Sequence, residues 1–294
     1  MLNFKPIIMK DKDIFDKYLI PYTFNTCEYS FTNLIMWKNA CAIQYTIFKN
    51  SLIIKKMDFD GTLHFMQPIG YRKEDLKEIV EMLEGYKVEG EFDFLFKDAE
   101  EDFVSDLKDI FGDKYSIEED RDNFDYIYES EKLISLSGKI LHKKKNHLNY
   151  FIKNYKYQDV EITDELIKPC MKAAREWCCK NSCRGYLLYE LRAIEELLIN
   201  RDKLNIIGMA IYVDGKISAF TLGEIVNENM AIIHVEKADS DIRGLYNYIN
   251  RTFVEKYLKD IPYINREQDL GMEGLRKAKL SYSPSNFSKK YIIK

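Results

Sequence analysis

The stretch IIGMAIYVDGKISAFTLGEIVNENMAIIHVEKA, residues 206–238, holds three apolar runs that are separated by turn-forming residues. The runs predict strands at Leu204–Val213, Lys216–Ile225 and Asn229–Lys237. Asp214-Gly215 lies between the first two runs and favours a tight hairpin, because both residues readily adopt positive φ angles. Apolar residues at helical spacing flank the strands and predict helices at Glu165–Lys180, Tyr189–Arg201 and Leu245–Leu258. The stretch therefore predicts antiparallel strands framed by helices.

The rest of the chain alternates between short strands and helices. In the N-terminal half, the patterns predict strands at Ala42–Phe48, Ser51–Met57, Leu63–Gln67, Phe92–Phe96 and Asn123–Tyr128, and helices at Asp13–Tyr18, Lys73–Leu83 and Ala99–Phe111. After the three central strands, they predict a strand at Tyr263–Asn265, a helix at Glu273–Lys279 and a final strand at Lys289–Ile293. We predict an α/β (α+β) chain with mixed sheets flanked by helices, in two domains at 1–135 and 136–294. The halves share no visible sequence repeat, so their likeness rests on element order alone.

Composition excludes several classes of protein. The 294 residues are 46% hydrophobic and 31% charged, which excludes a disordered or fibrous chain. Lys and Arg number 44 against 48 Asp and Glu, so the net charge of -4 gives no global attraction for nucleic acid. The longest apolar run, Ile206–Val213, is far shorter than the ~20 residues of a membrane span. Met1–Pro6 leads into no signal-peptide core. We expect a soluble, cytoplasmic protein without a transmembrane segment.

The six cysteines form no CxxC pair, and a chain of this length needs no disulfide for stability. Cys178, Cys179 and Cys183 lie close together in the sequence, but the four histidines show no metal-ligand spacing relative to them. Cys170 and Cys178 share a helical face with apolar residues, which predicts that they are buried. We expect no metal site.

The first candidate site lies where a strand feeds a helix. His234–Asp239 ends the strand, and Asp241, Arg243 and Gly244 lead into the next helix. Free N–H groups at a helix N-terminus suit an anion, Arg243 would add a bidentate clamp, and Gly244 would permit close backbone approach. The alternative is that Asp239 or Asp241 caps the helix and Arg243 is solvated.

The second candidate site is Asn265–Met272, which is followed by Lys277, Lys279, Tyr282 and Pro284. Charged residues beside Gly271 at a strand end indicate the lip of a site. Surface loops that carry ion pairs have the same composition, so this alternative stays open.

A basic helix opens the second half. Its lysines form a local positive ridge on an otherwise acidic protein, and they include Lys139, Lys143, Lys144, Lys145 and Lys153. Phosphates of a tRNA acceptor stem would bind such a ridge, and so would anionic lipid headgroups. The alternative is an amphipathic helix whose exposed face happens to be lysine.

Together these segments resemble the C-terminal domain of lysyl-phosphatidylglycerol synthases, which is similar in turn to the Fem-type peptidyl transferases. The segments that carry the resemblance are Tyr29–Trp37, Leu136–Lys139 before the basic helix, His234–Asp239 with Arg243-Gly244, and Asp269–Met272 followed by Lys279 and Pro284. The resemblance implies two tandem GNAT-like (acetyltransferase-like) domains. It also implies transfer of an aminoacyl group from a charged tRNA to an amine or hydroxyl acceptor.

The resemblance also implies roles for particular residues. Asp269 and Gly271 would lie at the site, and Lys279 would stabilise the terminal phosphate of the tRNA or the developing oxyanion. Arg243 would pair with Asp239 or Asp241 to position the amino acid. From the residues themselves, Glu236 or Asp239 is the candidate general base, because burial beside strand ends would raise its pKa.

Two departures leave alternatives open. The lipid-modifying relatives carry a membrane-spanning segment, and this chain shows none. Acetyltransferases that use coenzyme A carry a Gly-rich pyrophosphate loop, and here only Arg243-Gly244 stands in its place. No cofactor is required, and the donor is an aminoacyl-tRNA or an acyl-CoA. The alternatives are an ordinary acetyl-CoA-dependent N-acetyltransferase and a non-catalytic module that binds an anionic ligand.

Overall fold

The computed structural model describes residues 2–181, 183 and 185–294. The strands of this part of the chain are β1 (Lys5–Pro6), β2 (Gln44–Phe48), β3 (Ser51–Met57), β4 (Leu63–Phe65), β5 (Phe96–Ala99), β6 (Ile117–Glu119), β7 (Asp125–Glu129), β8 (Tyr157–Glu161), β9 (Ile207–Val213), β10 (Lys216–Ile225), β11 (Met230–Ala238), β12 (Tyr263–Asn265), β13 (Asn286–Ser288) and β14 (Tyr291–Ile293). The helices are α1 (Lys12–Leu19), α2 (Phe31–Trp37), α3 (Lys73–Glu89), α4 (Glu101–Phe111), α5 (Ser130–Ser135), α6 (His142–Asn154), α7 (Ile167–Lys180), α8 (Tyr186–Ile199), α9 (Leu245–Tyr257) and α10 (Glu273–Leu280).

The described residues form two compact units. The first comprises the chain up to Phe124 together with Ser288–Lys294, and the second comprises Asp125–Phe287. Each has its own apolar core. In the first, residues of α3 and α4 such as Leu76 and Phe103 pack with Phe65 and Phe96 of the sheet. In the second, helices α6 and α9 pack with β9 to β11.

The two units repeat one strand order. The first sheet runs β1-β2-β3-β4-β5-β14-β6, and the second, taken from its other end, runs β8-β9-β10-β11-β12-β7-β13. In both sheets the fourth and fifth strands are parallel, β4 with β5 and β11 with β12. A helix connects each parallel pair, α3 in the first unit and α9 in the second. The mixed α/β class and the tandem arrangement that the element order predicted are therefore confirmed.

The sixth strand of each sheet, β14 in the first and β7 in the second, belongs to a different unit from the one that the sequence predicted. The strand predicted at Asn123–Tyr128 was placed in the first half, but β7 pairs antiparallel with β12 in the second sheet. The final strand was placed in the second half, but β14 pairs with both β5 and β6 in the first sheet. Periodicity identifies a strand without identifying its partners, because partners are chosen by tertiary packing. The domains 1–135 and 136–294 stay a prediction.

The central strands form as their pattern predicts. Asp214 and Gly215 both have positive φ angles, 50° and 81°, and they close the hairpin of β9 and β10 at the pair Val213 and Lys216. β10 is buried from Ala219 to Glu224, because helices α7 and α9 both pack against it. Such continuous burial is typical of a strand with both faces covered.

One expectation about the cysteines was wrong, namely that the chain would need no disulfide. Cys170 and Cys178 are buried as predicted, but Cys178 also forms a disulfide with Cys183. The Cys183 N–H donates to the Cys178 carbonyl at 3.0 Å, and this turn at the end of α7 brings the two side chains together. Among the helices of the described residues, none is long and apolar enough to cross a bilayer.

Candidate functional site

Strands β11 and β12 diverge in the second unit. Their parallel pairing ends at Ile232 and Asn265, although β11 continues to Ala238. The register of β10 and β11 shifts between Leu222 and Gly223, opposite His234, so the alternation of side chains along β11 is interrupted there. Beyond this point Glu236 faces helix α9, where it contacts Asn250. Arg266 and Glu267, which follow the end of β12, contact Glu236 and His234. We call the place where β11 continues beyond the end of β12 the β11–β12 opening, and polar groups lie around it.

Glu236 joins the two sides of the opening. One carboxylate oxygen accepts from Arg266 Nη2 at 2.9 Å, and the other accepts from Asn250 Nδ2 at 2.8 Å. Asn250 belongs to α9 and is fully buried. Arg266 Nη1 and Asn250 Oδ1 are buried without a hydrogen-bond partner among the described residues. Because an unpaired buried donor or acceptor costs about 1–3 kcal/mol, these two atoms are positions where a water or a ligand atom would be stabilised.

Two lysines add positive charge beside Arg266. Lys144 Nζ lies 4.2 Å from the centre of the Tyr282 ring, and the Arg266 guanidinium lies 4.9 Å from the same ring. Lys279 Nζ donates to the Arg266 carbonyl. Burial and the neighbouring Arg266 charge lower the pKa of Lys279 to about 8, and the same two causes lower the pKa of Lys144. The cluster of Lys144, Arg266 and Lys279 is thus poised for an anionic or electron-rich ligand.

His234 is held between two carboxylates. Its Nδ1 lies 2.9 Å from Glu267 Oε1, and its Nε2 lies 3.0 Å from Glu224 Oε1. Burial acts to lower the pKa of His234, but the hydrogen bonds to both carboxylates outweigh it and raise that pKa to about 9. His234 is therefore a packed strand residue whose two ring nitrogens are both hydrogen-bonded to carboxylates.

We expect the stability of the second unit to depend on pH in two opposed ways. His234 has a folded-state pKa above its unfolded value of 6.5, so its stabilisation, up to about 3 kcal/mol, is complete below pH 6.5 and is lost as pH rises to about 9. Lys279 has a folded-state pKa below its unfolded value of 10.5, so stability recovers as pH rises from about 8 to 10.5. The free energy of unfolding should fall to about pH 8 and rise above about pH 9.

Denaturant titrations at a series of pH values measure this curve. Trp177 fluorescence in a Trp37→Phe background reports on the second unit, because Trp37 belongs to the first. His234→Gln should remove the fall, and Lys279→Met should remove the rise. Curves for wild type and His234→Gln that run parallel between pH 6.5 and 9 would contradict the assignment.

In the loop after β11, Asp239 and Asp241 do not pair with Arg243 as predicted. Asp239 and Asp241 both bind Lys180 Nζ at 2.7 Å. Burial acts to raise the pKa of Asp239, but Lys180 lowers it overall, which disfavours Asp239 as a base. Arg243 instead stacks on the Tyr150 ring at 4.3 Å and reaches His147 at 3.5 Å. The predicted pairing of Arg243 with Asp239 or Asp241 is therefore replaced by two separate contacts.

Gly244 does permit a close backbone approach, but the approach is to helix α6. A Cβ built on Gly244 would lie 2.1 Å from the His147 carbonyl oxygen and 3.0 Å from Phe151 Cβ. The start of α9 is therefore packed against α6 at the place where a pyrophosphate loop would bind its ligand. Helix packing therefore requires a glycine at position 244. A glycine that binds phosphate would look the same in the sequence, so the sequence could not tell the two reasons apart.

Asp269 holds its loop in place. Arg276 donates to both carboxylate oxygens at 2.7 and 2.8 Å, the Gly271 N–H donates at 2.9 Å, and the Tyr126 hydroxyl also donates. Burial acts to raise the pKa of Asp269, but these hydrogen bonds outweigh it and lower that pKa. Asp269 is fully buried. Asp269 and Gly271 thus shape the loop that leads from Arg266 to Lys279.

The predicted basic ridge forms on helix α6. No Asp or Glu occurs in residues 132–158, and in the described chain no acidic partner is found for Lys139, Lys143, Lys145 or Lys153. A cavity of about 440 Å³ opens at the start of the helix and is lined by Leu136, Ser137, Gly138, Lys139, His142 and Lys145. Lys144 turns inward from this ridge to Tyr282. Helix α6 therefore connects an exposed basic face with the charged opening.

Several residues of the opening were missed as individual candidates. Arg266 and Glu267 were noticed only as part of a charged loop, and Glu224, Asn247 and Asn250 were not considered. Asn247 donates to the Tyr282 hydroxyl at 2.7 Å. A usable signal was present, since Asn247 and Asn250 are polar residues at i and i+3 on the buried face of a helix. Within the described residues of Asp125–Phe287, no three metal-binding side chains converge.

The two sheets of like strand order, each with one helix-connected parallel pair, form a tandem GNAT-type fold. A tandem GNAT protein from the clavulanic acid biosynthesis pathway superposes with a TM-score of 0.52 at 9% identity, covering 100% of this chain and 97% of that one. FemX superposes with a TM-score of 0.64 at 8% identity, covering 99% and 97%. At these identities the likeness establishes the fold.

The family follows from the sequence. The family described as phosphatidylglycerol lysyltransferase, C-terminal, matches residues 21–294, and the chain belongs to it. A conserved protein of unknown function from Bacteroides thetaiotaomicron is 35% identical, with a TM-score of 0.91 over 100% of this chain and 99% of that one. An uncharacterised protein of Mycoplasmoides gallisepticum is 32% identical over 192 residues, which is 62% of this chain and 59% of that protein. The chain thus spans less than two thirds of this curated relative. Membership supports a transferase of the acyl or aminoacyl kind.

Proposed function

We propose that the protein transfers an aminoacyl group from a charged tRNA to an amine or hydroxyl acceptor, and that the β11–β12 opening is its active site. The observation that carries this proposal is the buried, unpartnered Nη1 of Arg266 within a cationic cluster. A donor in that position suits the oxyanion that develops on a carbonyl under attack. Family membership supports the acyl or aminoacyl class, and the particular donor and acceptor are part of the proposal.

The reaction needs no covalent enzyme intermediate, because an aminoacyl ester is already activated. The acceptor nitrogen or oxygen attacks the ester carbonyl carbon and gives up its proton to neutral Lys279 Nζ. The carbonyl oxygen becomes an oxyanion that accepts from Arg266 Nη1. The bond to the ribose oxygen then breaks, and that oxygen takes the proton back from Lys279. The products are an aminoacylated acceptor and a tRNA with a free terminal hydroxyl.

Lys279 takes the place of Glu236 and Asp239 as the proposed base. Both oxygens of Glu236 already accept hydrogen bonds, and Asp239 is paired with Lys180. With its pKa lowered to about 8, Lys279 is partly neutral at physiological pH. The same residue was predicted from the family resemblance to stabilise charge, a role that would need the protonated form.

Helix α6 would bind the tRNA backbone in this proposal. Within the described part of the chain its exposed lysines have no acidic partners, so they can displace the counterions of the phosphates without breaking ion pairs. Lys144, which points inward to Tyr282, would contact the terminal nucleotides of the tRNA where they enter the opening. Anionic lipid headgroups are the alternative ligand of this face, with the lipid as acceptor.

Transfer of a radiolabelled amino acid from purified aminoacyl-tRNAs to small amines or to anionic lipid vesicles tests the proposal. The rate should rise with pH, reach half its maximum near pH 8 and level off above about pH 9, because neutral Lys279 is the active form. Lys279→Met should lower the rate by about 100-fold or more and abolish this rise. A rate that instead falls above pH 8 would make protonated Lys279 an oxyanion donor.

Two other outcomes would replace the proposal. Binding of aminoacyl-tRNA without transfer to any acceptor would favour the non-catalytic module. Transfer from acetyl-CoA alone would show that the protein is an ordinary N-acetyltransferase. It would then have to bind the pyrophosphate elsewhere, because the start of α9 is packed against α6. Lys259→Ala is the control for charge removal, since this exposed lysine lies outside the opening.

A further inference from the structure

Glu236 links two groups that each keep one buried atom without a hydrogen-bond partner among the described residues, a donor on one and an acceptor on the other. Glu236 accepts from Arg266 on one oxygen and from Asn250 on the other. Since an ionised carboxylate can only accept, the amide of Asn250 must turn its Nδ2 toward Glu236 and its Oδ1 away. Arg266 Nη1 and Asn250 Oδ1 thus belong to the two groups that Glu236 fixes, and each is buried without a partner.

We infer that this array recognises the α-ammonium group of the donor, with Asn250 as the residue that distinguishes aminoacyl from plain acyl substrates. The inference rests on the proposed function and names the substrate feature that its active site reads. An aminoacyl ester carries a carbonyl oxygen, which accepts, next to an α-ammonium, which donates. The carbonyl oxygen pairs with Arg266 Nη1, and the ammonium pairs with Asn250 Oδ1.

Burial makes this pairing selective. Asn250 is fully buried in α9, so water does not readily satisfy its Oδ1 once a substrate fills the opening. An acyl group without an α-amino group leaves Oδ1 unpaired, and an N-acetylated amino acid presents an uncharged, larger group there. Each should bind about tenfold to a hundredfold more weakly than the matching free α-amine.

Binding of amino acid amides tests the inference apart from catalysis. L-amino acid amides are titrated one at a time into the full chain by calorimetry, each beside its N-acetyl and its des-amino counterpart. At least one amide should bind, with both counterparts weaker by about tenfold or more. If no amide binds, or if the counterparts bind equally well, the assignment of Asn250 is wrong.

Variants at position 250 locate the effect. Asn250→Leu keeps the approximate volume without the acceptor, and it should reduce the difference between amide and des-amino ligand to less than about twofold. An unchanged difference would overturn the inference. Asn250→Ser is the second variant if the leucine variant does not fold, with the same expectation. Amide binding without aminoacyl transfer in the assay above would remove the proposed function and leave this subsite in place.

Discussion

Replacement of Gly244 by alanine should destabilise the second unit by at least about 3 kcal/mol. Gly244 has a φ of 87°, which an L-residue adopts only at a cost. The added Cβ would also lie 2.1 Å from a backbone oxygen of α6, which cannot move aside as a flexible side chain can. Relief would require α6 and α9 to separate, and their contact includes the buried Phe151 and Leu245.

Denaturant unfolding followed by Trp177 fluorescence measures this loss, again in the Trp37→Phe background. Gly274→Ala is the matched control, because Gly274 lies in helix α10 with nothing within 4 Å of an added Cβ. It should leave stability unchanged or raise it by about 0.5–1 kcal/mol. Equal effects of the two substitutions would show that the close approach at Gly244 does not limit stability.

Arg266→Ala should reduce kcat/KM for aminoacyl transfer by about 100-fold to 1,000-fold, the usual cost of one oxyanion donor. Arg266→Lys should recover only a small part, because a lysine restores the charge but not the fork that binds Glu236 and the substrate together. Circular dichroism checks that the variant keeps the secondary structure of the wild type after the partner of Glu236 is removed. Lys259→Ala should retain wild-type activity.

A variant Arg266→Ala with full activity would move the active site away from the opening. Arg243→Ala then becomes informative, because Arg243 was the sequence-based candidate for clamping an anion and for positioning the amino acid. From its stacking on Tyr150, we expect Arg243→Ala to leave kcat nearly unchanged and to weaken binding of tRNA at most. A large loss of kcat in Arg243→Ala alone would restore the earlier assignment.

The sequence predicted the elements of the fold better than their partners. Strands Ser51–Met57 and Lys216–Ile225 and the strand Tyr263–Asn265 were predicted with the bounds that the structure has, because each is a local pattern. The short strands β1, β6, β8 and β13 were missed, because each holds too few apolar residues at alternate positions to form a pattern. The exchange of β7 and β14 between the predicted halves was missed because pairing depends on contacts distant in sequence.

Two of the predicted site residues lie beside Arg266 in the structure, while their roles in a reaction stay a prediction. Lys279 and Lys144 were singled out, and both lie beside Arg266. Arg266 is one charge in the run Asn265–Asp269. In the structure Arg266 pairs with Glu236 and Asp269 pairs with Arg276, and nothing in the sequence indicates which partner each will have. Burial and pairing of charges are properties of the folded chain, so a single sequence does not rank such neighbours.

The position of β14 has a consequence for how the chain is made. This strand lies between β5 and β6, yet the ribosome reaches it only after the whole of Asp125–Phe287 has been synthesised. The first unit must therefore wait with β5 and β6 unjoined until the chain that follows Asp125–Phe287 has been made, while the second unit by then has every strand of its sheet available. Folding of the second unit during synthesis is thus independent of β14, whereas the sheet of the first unit depends on a strand that is made after the second unit.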